Sequence, residues 1–310
     1  MDTDALPAGA GIGRVGFRVA ELAETAEFYA DVLGFERLES TAADDTAPAA
    51  ASDRAVLGAG GEALLVLEES PDAPSRSLDE AGLYHVAIRV PDRAALGAAI
   101  ARCRERDLLD GAADHGVSEA VYLRDPEGNG LELYVDRPKT EWPIESDGRV
   151  GMVTEPLDLD ALADLADDSA VAAPLPDGTT IGHVHLESTD LEATNDFYAG
   201  VLGMALRQRM GEEALFLAAG DYHHHVGANT WRRRSTPMTP ESLGLAWFEV
   251  VVPDETALDA AAARLEDDGF DVDRSGGGES ADGATIAIDD PDGIRLRLRV
   301  DGVIATPTGE

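Results

Sequence analysis

The sequence predicts an α+β protein made of four related units, and two internal repeats indicate this architecture. In the first repeat, residues 12–35 (IGRVGFRVAEL to FYADVLGF) match residues 181–204 (IGHVHLESTDL to FYAGVLGM). In the second, LYHVAIRVPD at 83–92 resembles LAWFEVVVPD at 245–254, and an alanine-rich segment follows each. Each unit is therefore expected to contain a strand, a helix and two or three further strands, in two tandem copies.

The first unit shows the local signals of this order. Val15, Phe17 and Val19 alternate with other residues, which is the period of a strand with one buried face. The apolar residues within 22–33 suit one face of a helix, and Gly34 is placed to end it. The second and fourth units end in Asp-Pro turns between two strands, which fits a hairpin.

A segment without these signals separates the two copies. It contains four prolines and a short acidic amphipathic stretch at 157–165, which predicts a connection with one short helix. We therefore predict a first domain over residues 1–139, a linker over 140–178 and a second domain over 179–310.

The charge of the chain is strongly negative. Sixty-one acidic residues face 24 basic ones, for a net charge of −37, and Lys139 is the only lysine. The acids are dispersed along the chain, which predicts adaptation to a salt-rich cytoplasm where screening weakens their repulsion. An acidic face that docks a basic partner would instead require clustered acids. The same charge disfavours binding to nucleic acid.

The cysteine content and the distribution of apolar residues narrow the class of protein further. The single cysteine, Cys103, excludes an internal disulfide and a cysteine-based metal cluster, and we expect it to be a small buried side chain in a helix over 94–108. No segment reaches the roughly 18 apolar residues that a membrane span needs, and the N-terminal segment lacks a signal-peptide pattern. We therefore expect a cytoplasmic protein with no membrane partner.

Residues 115–134 carry the most chemical information. Residues 121–123 predict a short strand, 125–130 a tight turn, and 131–135 a returning strand of alternating apolar residues. Glu132 lies in the middle of that strand, where an unpaired carboxylate would be costly. A metal ion, an arginine or a hydrogen-bond network would compensate it, unless the hairpin is an ordinary one with a solvated Glu132.

These segments resemble the vicinal oxygen chelate superfamily, which includes glyoxalase I, bleomycin-resistance proteins and type I extradiol dioxygenases. The phrases FYADVLGF, LYHVAIRVPD, SEAVYLRDPEGNGLELYVDRP, IGHVHLES and YHHHVGANTW are most similar to its catechol 2,3-dioxygenase-like, four-module branch. The resemblance implies four βαβββ modules in two tandem glyoxalase-like domains, whose cupped mixed sheets surround one divalent metal.

In that superfamily the metal ligands come from the first strands and from the last strand of a module. The corresponding positions hold Arg14, His85, His183 and Trp247 on the first strands, and Glu132 and Arg297 on the last strands of units two and four. Pairing units in sequence order leaves every set incomplete. Pairing unit two with unit three supplies His85, Glu132 and His183, and we predict these three as the metal ligands. Two histidines and one carboxylate leave open positions on Fe(II).

The resemblance also assigns residues around the metal. His115 and Tyr122 match the family signature of a histidine that assists proton transfer and a tyrosine that bonds a substrate oxygen. The histidines of 222–226 are expected on a strand, where His223 and His225 share a face and His224 lies opposite. His223 and His225 are predicted with Asn229 to bind substrate, or one of these histidines would serve as a metal ligand if the units paired differently. Trp231 would shape the same wall or belong to the core.

Three functions remain open from the sequence. The first is extradiol cleavage of a small aromatic diol by O2, with Fe(II) as the cofactor and Mn(II) as the alternative. The second is a glyoxalase-like isomerase or lyase, against which the single acidic ligand counts. The third is a metal-free protein that sequesters an aromatic ligand, since Arg14, Trp247 and Arg297 stand at ligand positions. Self-association into a homo-oligomer is compatible with each.

Overall fold

Two mixed β-sheets with helices packed against them form the protein. The computed structural model describes residues 5–39, 53–274 and 284–300. Sheet one has seven strands in the order β14-β15-β13-β1-β4-β3-β2. Its strands are β1 (Gly11–Val19), β2 (Glu36–Leu38), β3 (Arg54–Ala59), β4 (Glu62–Glu69), β13 (Gly244–Val252), β14 (Thr285–Asp289) and β15 (Arg295–Val300).

Sheet two has eight strands in the order β10-β11-β12-β9-β5-β8-β7-β6. Its strands are β5 (Gly82–Arg89), β6 (Gly111–Asp114), β7 (Ser118–Arg124), β8 (Gly130–Asp136), β9 (Thr180–Glu187), β10 (Ala205–Met210), β11 (Ala214–Ala218) and β12 (Val226–Asn229). The predicted strand, helix and strands order therefore holds in all four units.

The four units pair across the two copies and not within them. Antiparallel pairing of β5 with β9 joins unit two to unit three in sheet two. Antiparallel pairing of β1 with β13 joins unit one to unit four in sheet one. The predicted partnership of units two and three is confirmed, and each sheet takes one unit from each half of the chain. The domain boundaries at 139 and 179 remain a prediction about sequence segments.

A matching hydrogen bond ties the two units of each half together. The Tyr29 hydroxyl donates to Asp125 at 3.1 Å, and the Tyr198 hydroxyl donates to Asp290 at 2.9 Å. The tyrosine belongs to the FYA repeat and the aspartate to the Asp-Pro turn, so the two repeated motifs contact each other in both halves. These bonds connect sheet one to sheet two.

The helices begin and end where the sequence provides caps. They are α1 (Leu22–Glu27), α2 (Arg93–Arg104), α3 (Leu159–Ala163), α4 (Asp168–Ala172), α5 (Leu191–Asn195) and α6 (Glu255–Asp267). In α2 and α6 the carboxylate of the repeated Pro-Asp motif, Asp92 or Asp254, accepts a hydrogen bond from a free backbone N–H of the first turn. A π-helical turn at Phe28–Leu33 extends α1 and ends at Gly34, whose φ of 88° favours glycine.

The predicted linker is packed against the second unit. Helix α3 is shorter than the predicted 157–165 and rests on α2, where a side chain at Gly97 would collide with the carbonyl of Leu162. Glycine at this position therefore permits the close approach of the two helices. Cys103 on α2 is fully buried as expected, and burial raises the pKa of its thiol to about 11. Within the described ranges, no helix is long and apolar enough to cross a membrane.

Candidate metal centre and active site

Three donor side chains meet at the centre of sheet two. Ala87 on β5 pairs with Glu132 on β8 and with His183 on β9, so the last two side chains flank it on one face of the sheet. His85 lies two residues before Ala87 and therefore shares that face. The structure thus brings together the three predicted ligands, which are far apart in sequence.

The donor atoms lie close enough for one ion to bridge them. His85 Nε2 is 3.0 Å and His183 Nε2 is 3.4 Å from the same oxygen of Glu132, and the two imidazole nitrogens are 3.4 Å apart. All three side chains are buried. Two imidazoles and one carboxylate form a donor set that suits a divalent transition metal, and the residues present fit such an ion.

The electrostatics of the cluster keep the donors in their binding forms. Burial alone would raise the pKa of Glu132, but the hydrogen bonds and charge of His183 and His85 hold it well below its usual value. Burial lowers the pKa of His183 to about 4, against the opposing effect of Glu132. An ionised carboxylate and a neutral imidazole are the forms that bind metal.

The ring of Tyr134 packs against the ring of His183. Its ring centroid is 5.1 Å from that of His183, and its hydroxyl shares a 2.8 Å hydrogen bond with Tyr222. A side chain at Gly182 would overlap the Tyr134 hydroxyl, so glycine is required where the strand crosses this ring. The sequence Ile-Gly-His at 181–183 therefore combines a predicted ligand with the space for the ring that packs against it.

The donors open onto a cavity of about 350 Å³. Its walls are largely apolar, with histidines and tyrosines around the three donors. The lining residues are Tyr84, His85, Gly111, Ala112, Ala113, His115, Ser118, Tyr122, Glu132, Met152, Thr154, His183, His185, Met210, Phe216, His224 and Trp231. A cavity of this size is typical of sites for small molecules.

His115 and Tyr122 lie together at this cavity. Nδ1 of His115 is 2.7 Å from the carbonyl of Val153, which can only accept, so this nitrogen carries a proton. Nε2 of the same ring is 2.7 Å from the Tyr122 hydroxyl, and this hydroxyl also forms a hydrogen bond with the Glu132 carboxylate. Burial and the adjacent Glu132 carboxylate raise the pKa of Tyr122 well above its usual value, so the phenol stays protonated.

The sequence-based choice of substrate-facing histidines is corrected by the structure. Residues 222–225 form a bent loop and not a strand, so alternation along a strand does not apply to them. His224 lines the cavity, whereas His223 and His225 do not. His223 bonds Asp136 behind the wall, and His225 accepts the backbone N–H of Ala219.

Asn229 is also displaced from its predicted role. Its side chain is fully buried, donates to the carbonyl of Leu186 at 3.2 Å and accepts the N–H of Trp231 at 3.2 Å. It therefore holds the backbone of Trp231, and Trp231 itself lines the cavity. Asn229 does not reach the cavity.

Sequence reasoning missed two further histidines of the cavity, His185 and His224. Each is buried with Nε2 lacking a hydrogen-bond partner, and burial lowers the pKa of both well below the usual value. For His185 the signal was present, because it lies two residues from His183 on the same strand face. For His224 no strand pattern could have supplied it.

The predicted linker also contributes to the wall. Met152 and Thr154 line the cavity, and Glu155 forms an antiparallel bridge with Asp114 at the edge of sheet two. The carbonyl of Val153 between them fixes the ring of His115. The segment 150–155 is therefore part of the site.

Comparison with known proteins assigns the family. The family model of the Glyoxalase/Bleomycin resistance protein/Dioxygenase superfamily matches residues 11–133 and 180–298. The chain belongs to this superfamily. The two matched segments are the two halves of the internal repeat, which confirms the family resemblance and the tandem arrangement.

One relative and two structures illustrate the similarity. The chain is 40% identical over 269 residues to the catechol-2,3-dioxygenase of Bacillus subtilis strain 168, covering 85% of this chain and 90% of the relative. The crystal structure of a putative dioxygenase from Bacillus subtilis gives a TM-score of 0.64 at 16% identity, covering 94% of this chain and 86% of that one. Glyoxalase I from Zea mays gives 0.58 at 18% identity, covering 94% and 92%. At these identities the two structures support the fold alone.

Proposed function

We propose that this protein is an extradiol dioxygenase that opens the ring of a catechol-type substrate with O2, with Fe(II) as its cofactor and Mn(II) as the alternative. The observation that carries the proposal is the group formed by His85, His183 and Glu132, which faces a cavity from one side. Two histidines and one carboxylate on one side of an ion leave its other side for substrate and O2. The 40% identity to a catechol-2,3-dioxygenase supports the same reaction.

The proposed metal would be held by His85 Nε2, His183 Nε2 and the Glu132 carboxylate. When bound, such an ion would favour ionisation of a catechol hydroxyl and would provide the redox chemistry that links the diol to O2. Glu132 is the single negative charge among the three donors. We therefore assign it the largest share of metal affinity.

We assign His115 and Tyr122 to proton handling and orientation beside the bound diol. The Tyr122 hydroxyl is held by His115, whose ring is itself fixed by the Val153 carbonyl, so both side chains are positioned before substrate arrives. On the other side of the donors, the ring centroid of His224 is 4.0 Å from that of His183, with Nε2 free. Histidines therefore flank the proposed substrate position on two sides.

The walls favour a neutral aromatic ring. Met152, Met210, Phe216 and Trp231 provide apolar and polarisable surface, and no lysine or arginine of the described residues lines this cavity. A substituent carrying a carboxylate would be desolvated there without a cationic partner. We therefore propose a catechol with a hydrogen, alkyl or aryl substituent as the substrate.

The test is to load the purified protein anaerobically with Fe(II) in high salt and then to add O2 and a panel of catechols. We expect one O2 consumed per catechol, a coloured ring-opened product, and faster turnover of alkyl- and arylcatechols than of catechols bearing a carboxylate. Mn(II) loading of a second sample decides between the two metals.

Two other results would reject the proposal. Bound metal with no O2 uptake would favour the isomerase or lyase alternative. A protein that binds catechols but no metal would favour the sequestering one. We further infer a salt-rich cytoplasm as the setting of the reaction, on the strength of the dispersed acidic charge.

A further inference from the structure

Three side chains are connected by hydrogen bonds from the back of sheet two to the cavity. Asp136 Oδ1 is 3.0 Å from Nε2 of His223, and Nδ1 of His223 is 2.8 Å from Nδ1 of His224. His224 is the member that lines the cavity. Asp136 instead lines a second cavity, of about 270 Å³, with Arg89 and Tyr222.

Asp136 is held as an ionised acceptor. It lies at the end of β8, four residues after Glu132, where the Tyr222 hydroxyl donates to it at 3.0 Å and Arg89 approaches it at 3.3 Å. Burial would raise the pKa of its carboxyl, but the hydrogen bond from His223, the charge of Arg89 and the hydrogen bond from Tyr222 hold it below the usual value. An ionised carboxylate can only accept hydrogen bonds.

The ionised Asp136 determines which nitrogen of each histidine ring carries a proton, first in His223 and then in His224. Because Asp136 only accepts, Nε2 of His223 must carry the proton of their hydrogen bond. When His223 is neutral, its Nδ1 is unprotonated, and the proton of the next hydrogen bond is then on Nδ1 of His224. The Nε2 atom of His224, buried and without a partner, is left with a lone pair.

We propose that His223 is neutral between Asp136 and His224, and that Asp136 and His223 are positioning residues that fix His224 in the tautomer with an unprotonated Nε2 at the cavity. In this form His224 can accept the hydrogen bond of a substrate hydroxyl. The opposite tautomer would present an N–H, which cannot accept it. The role in turnover rests on the proposed function, whereas the tautomer itself does not.

A purely structural role for the pair would be to anchor the loop 219–225 to β8. The two roles differ in what they predict for the protons. Anchoring requires only that the loop stays in place. Positioning requires that a change at Asp136 moves the proton of His224, two hydrogen bonds away, from one ring nitrogen to the other. The same logic applies to the Ser-His-Asp triad, where an Asp-to-Asn change leaves the geometry intact but yields the wrong tautomer.

The first measurement is the nitrogen NMR spectrum of the protein labelled with ¹⁵N-histidine, without metal and with Zn(II) as a diamagnetic probe. The His224 signals are assigned by their loss in His224→Gln. We expect Nδ1 of His224 and Nε2 of His223 to carry the protons. A proton on Nε2 of His224 would overturn the proposal.

The second measurement uses Asp136→Asn. The amide can donate to His223 Nε2, so both rings should reverse and Nε2 of His224 should gain the proton. We expect kcat for the preferred catechol to fall by about 10²–10⁴-fold. KM and bound iron should change by less than about threefold, because the donors and walls are untouched.

The matched control is Asp221→Asn, the same chemical change on the exposed partner of Lys139 in the same loop. It should retain the wild-type tautomers and kcat. If Asp136→Asn behaves like this control in both measurements, the proposal is wrong. If the wild-type protein cleaves no catechol, the proposed function fails, and the NMR spectra still decide the tautomer of His224.

Discussion

At the centre of sheet one, Arg14, Trp247 and Arg297 occupy the positions that His183, His85 and Glu132 occupy in sheet two. The Arg297 guanidinium lies 3.9 Å above the Trp247 ring, and Trp247 covers Gly16 on the neighbouring strand. Two sheets of the same construction therefore carry opposite chemistry at their centres. One gathers donors around a cavity, and the other gathers cations around an aromatic ring.

One neighbouring residue explains much of the difference. In sheet two, Ala87 leaves room between His183 and Glu132. The repeat places Glu249 at the same position of sheet one, where it bonds Arg14 at 2.8 Å and Arg299 at 3.4 Å. A buried carboxylate thus fills the space and neutralises the arginines. The same frame therefore accommodates a set of metal-type donors in one sheet and buried ion pairs in the other.

The largest expected effect separates the two buried carboxylates. Glu132→Ala should weaken Fe(II) binding by at least about 100-fold and abolish turnover, because it removes the single anionic donor. Glu249→Ala, in sheet one, should leave the bound iron unchanged. Metal analysis after anaerobic loading measures both. If Glu132→Ala retained iron, the metal would not be held by Glu132, and sheet two would not differ from sheet one through this carboxylate.

His115→Ala should damage turnover without releasing metal. His115 bonds Tyr122 and not the donors, so we expect full iron content and a fall in kcat of about 10²–10⁴-fold, the usual contribution of a positioned proton-transfer group. Steady-state kinetics and metal analysis on one preparation test this. Loss of iron as complete as in Glu132→Ala would show that His115 is a ligand.

Glu249→Ala should instead lower the free energy of unfolding. Removing it leaves Arg14 and Arg299 without this partner in a buried setting, and breaking a buried pair costs about 3–5 kcal/mol. Urea unfolding at high KCl measures the free energy. The control is Glu192→Ala, which removes an exposed pair with Arg209 and should cost less than about 1 kcal/mol. Equal losses would contradict a structural role for the sheet-one cluster.

Low pH should destabilise sheet two in particular, because all seven histidines of the sequence belong to units two and three. Burial lowers the pKa of His225 to about 3 and that of His183 to about 4. The folded protein keeps these rings neutral while the unfolded chain takes up protons below about 6.5, so their stabilisation is present above that pH and is lost as pH falls toward 4.

For the metal-free protein we expect the free energy of unfolding to fall by about 1–2 kcal/mol per such histidine between about pH 7 and about pH 5. His225→Gln should reduce the pH dependence by about one proton. Urea unfolding across this range measures it. An unchanged slope in the variant would show that His225 does not titrate differently in the two states.

Salt should act on both sheets alike and give the smallest effect. Lowering KCl from about 1 M to about 0.1 M lengthens the screening distance from about 3 Å to about 10 Å and increases repulsion among the dispersed acids. We expect the Tm to fall by about 5 °C or more. Calorimetry over this range checks it, and a Tm indifferent to KCl would contradict the predicted salt adaptation.

Features encoded by neighbouring residues could be predicted from the sequence. The repeats predicted four units, Gly34 marked a helix end, and the strand that carries Glu132 followed from the alternation of apolar residues at 131–135. The pairing of units two and three followed from asking which combination completes a donor set. The units, turns and helix end could be predicted because capping, turns and strand periodicity depend on a few residues close in sequence, whereas the pairing of the units rested on the chemistry of the donor set.

Other features were decided only by the tertiary structure. Which histidine of 223–225 reaches the cavity depends on a loop whose conformation is set by Asp136 on one side and Ala219 on the other. The contributions of Met152 and Thr154 depend on where the linker crosses the edge of sheet two. Such contacts join segments far apart in the chain, and strand periodicity carries no information about them, because a loop has no fixed alternation of its side chains.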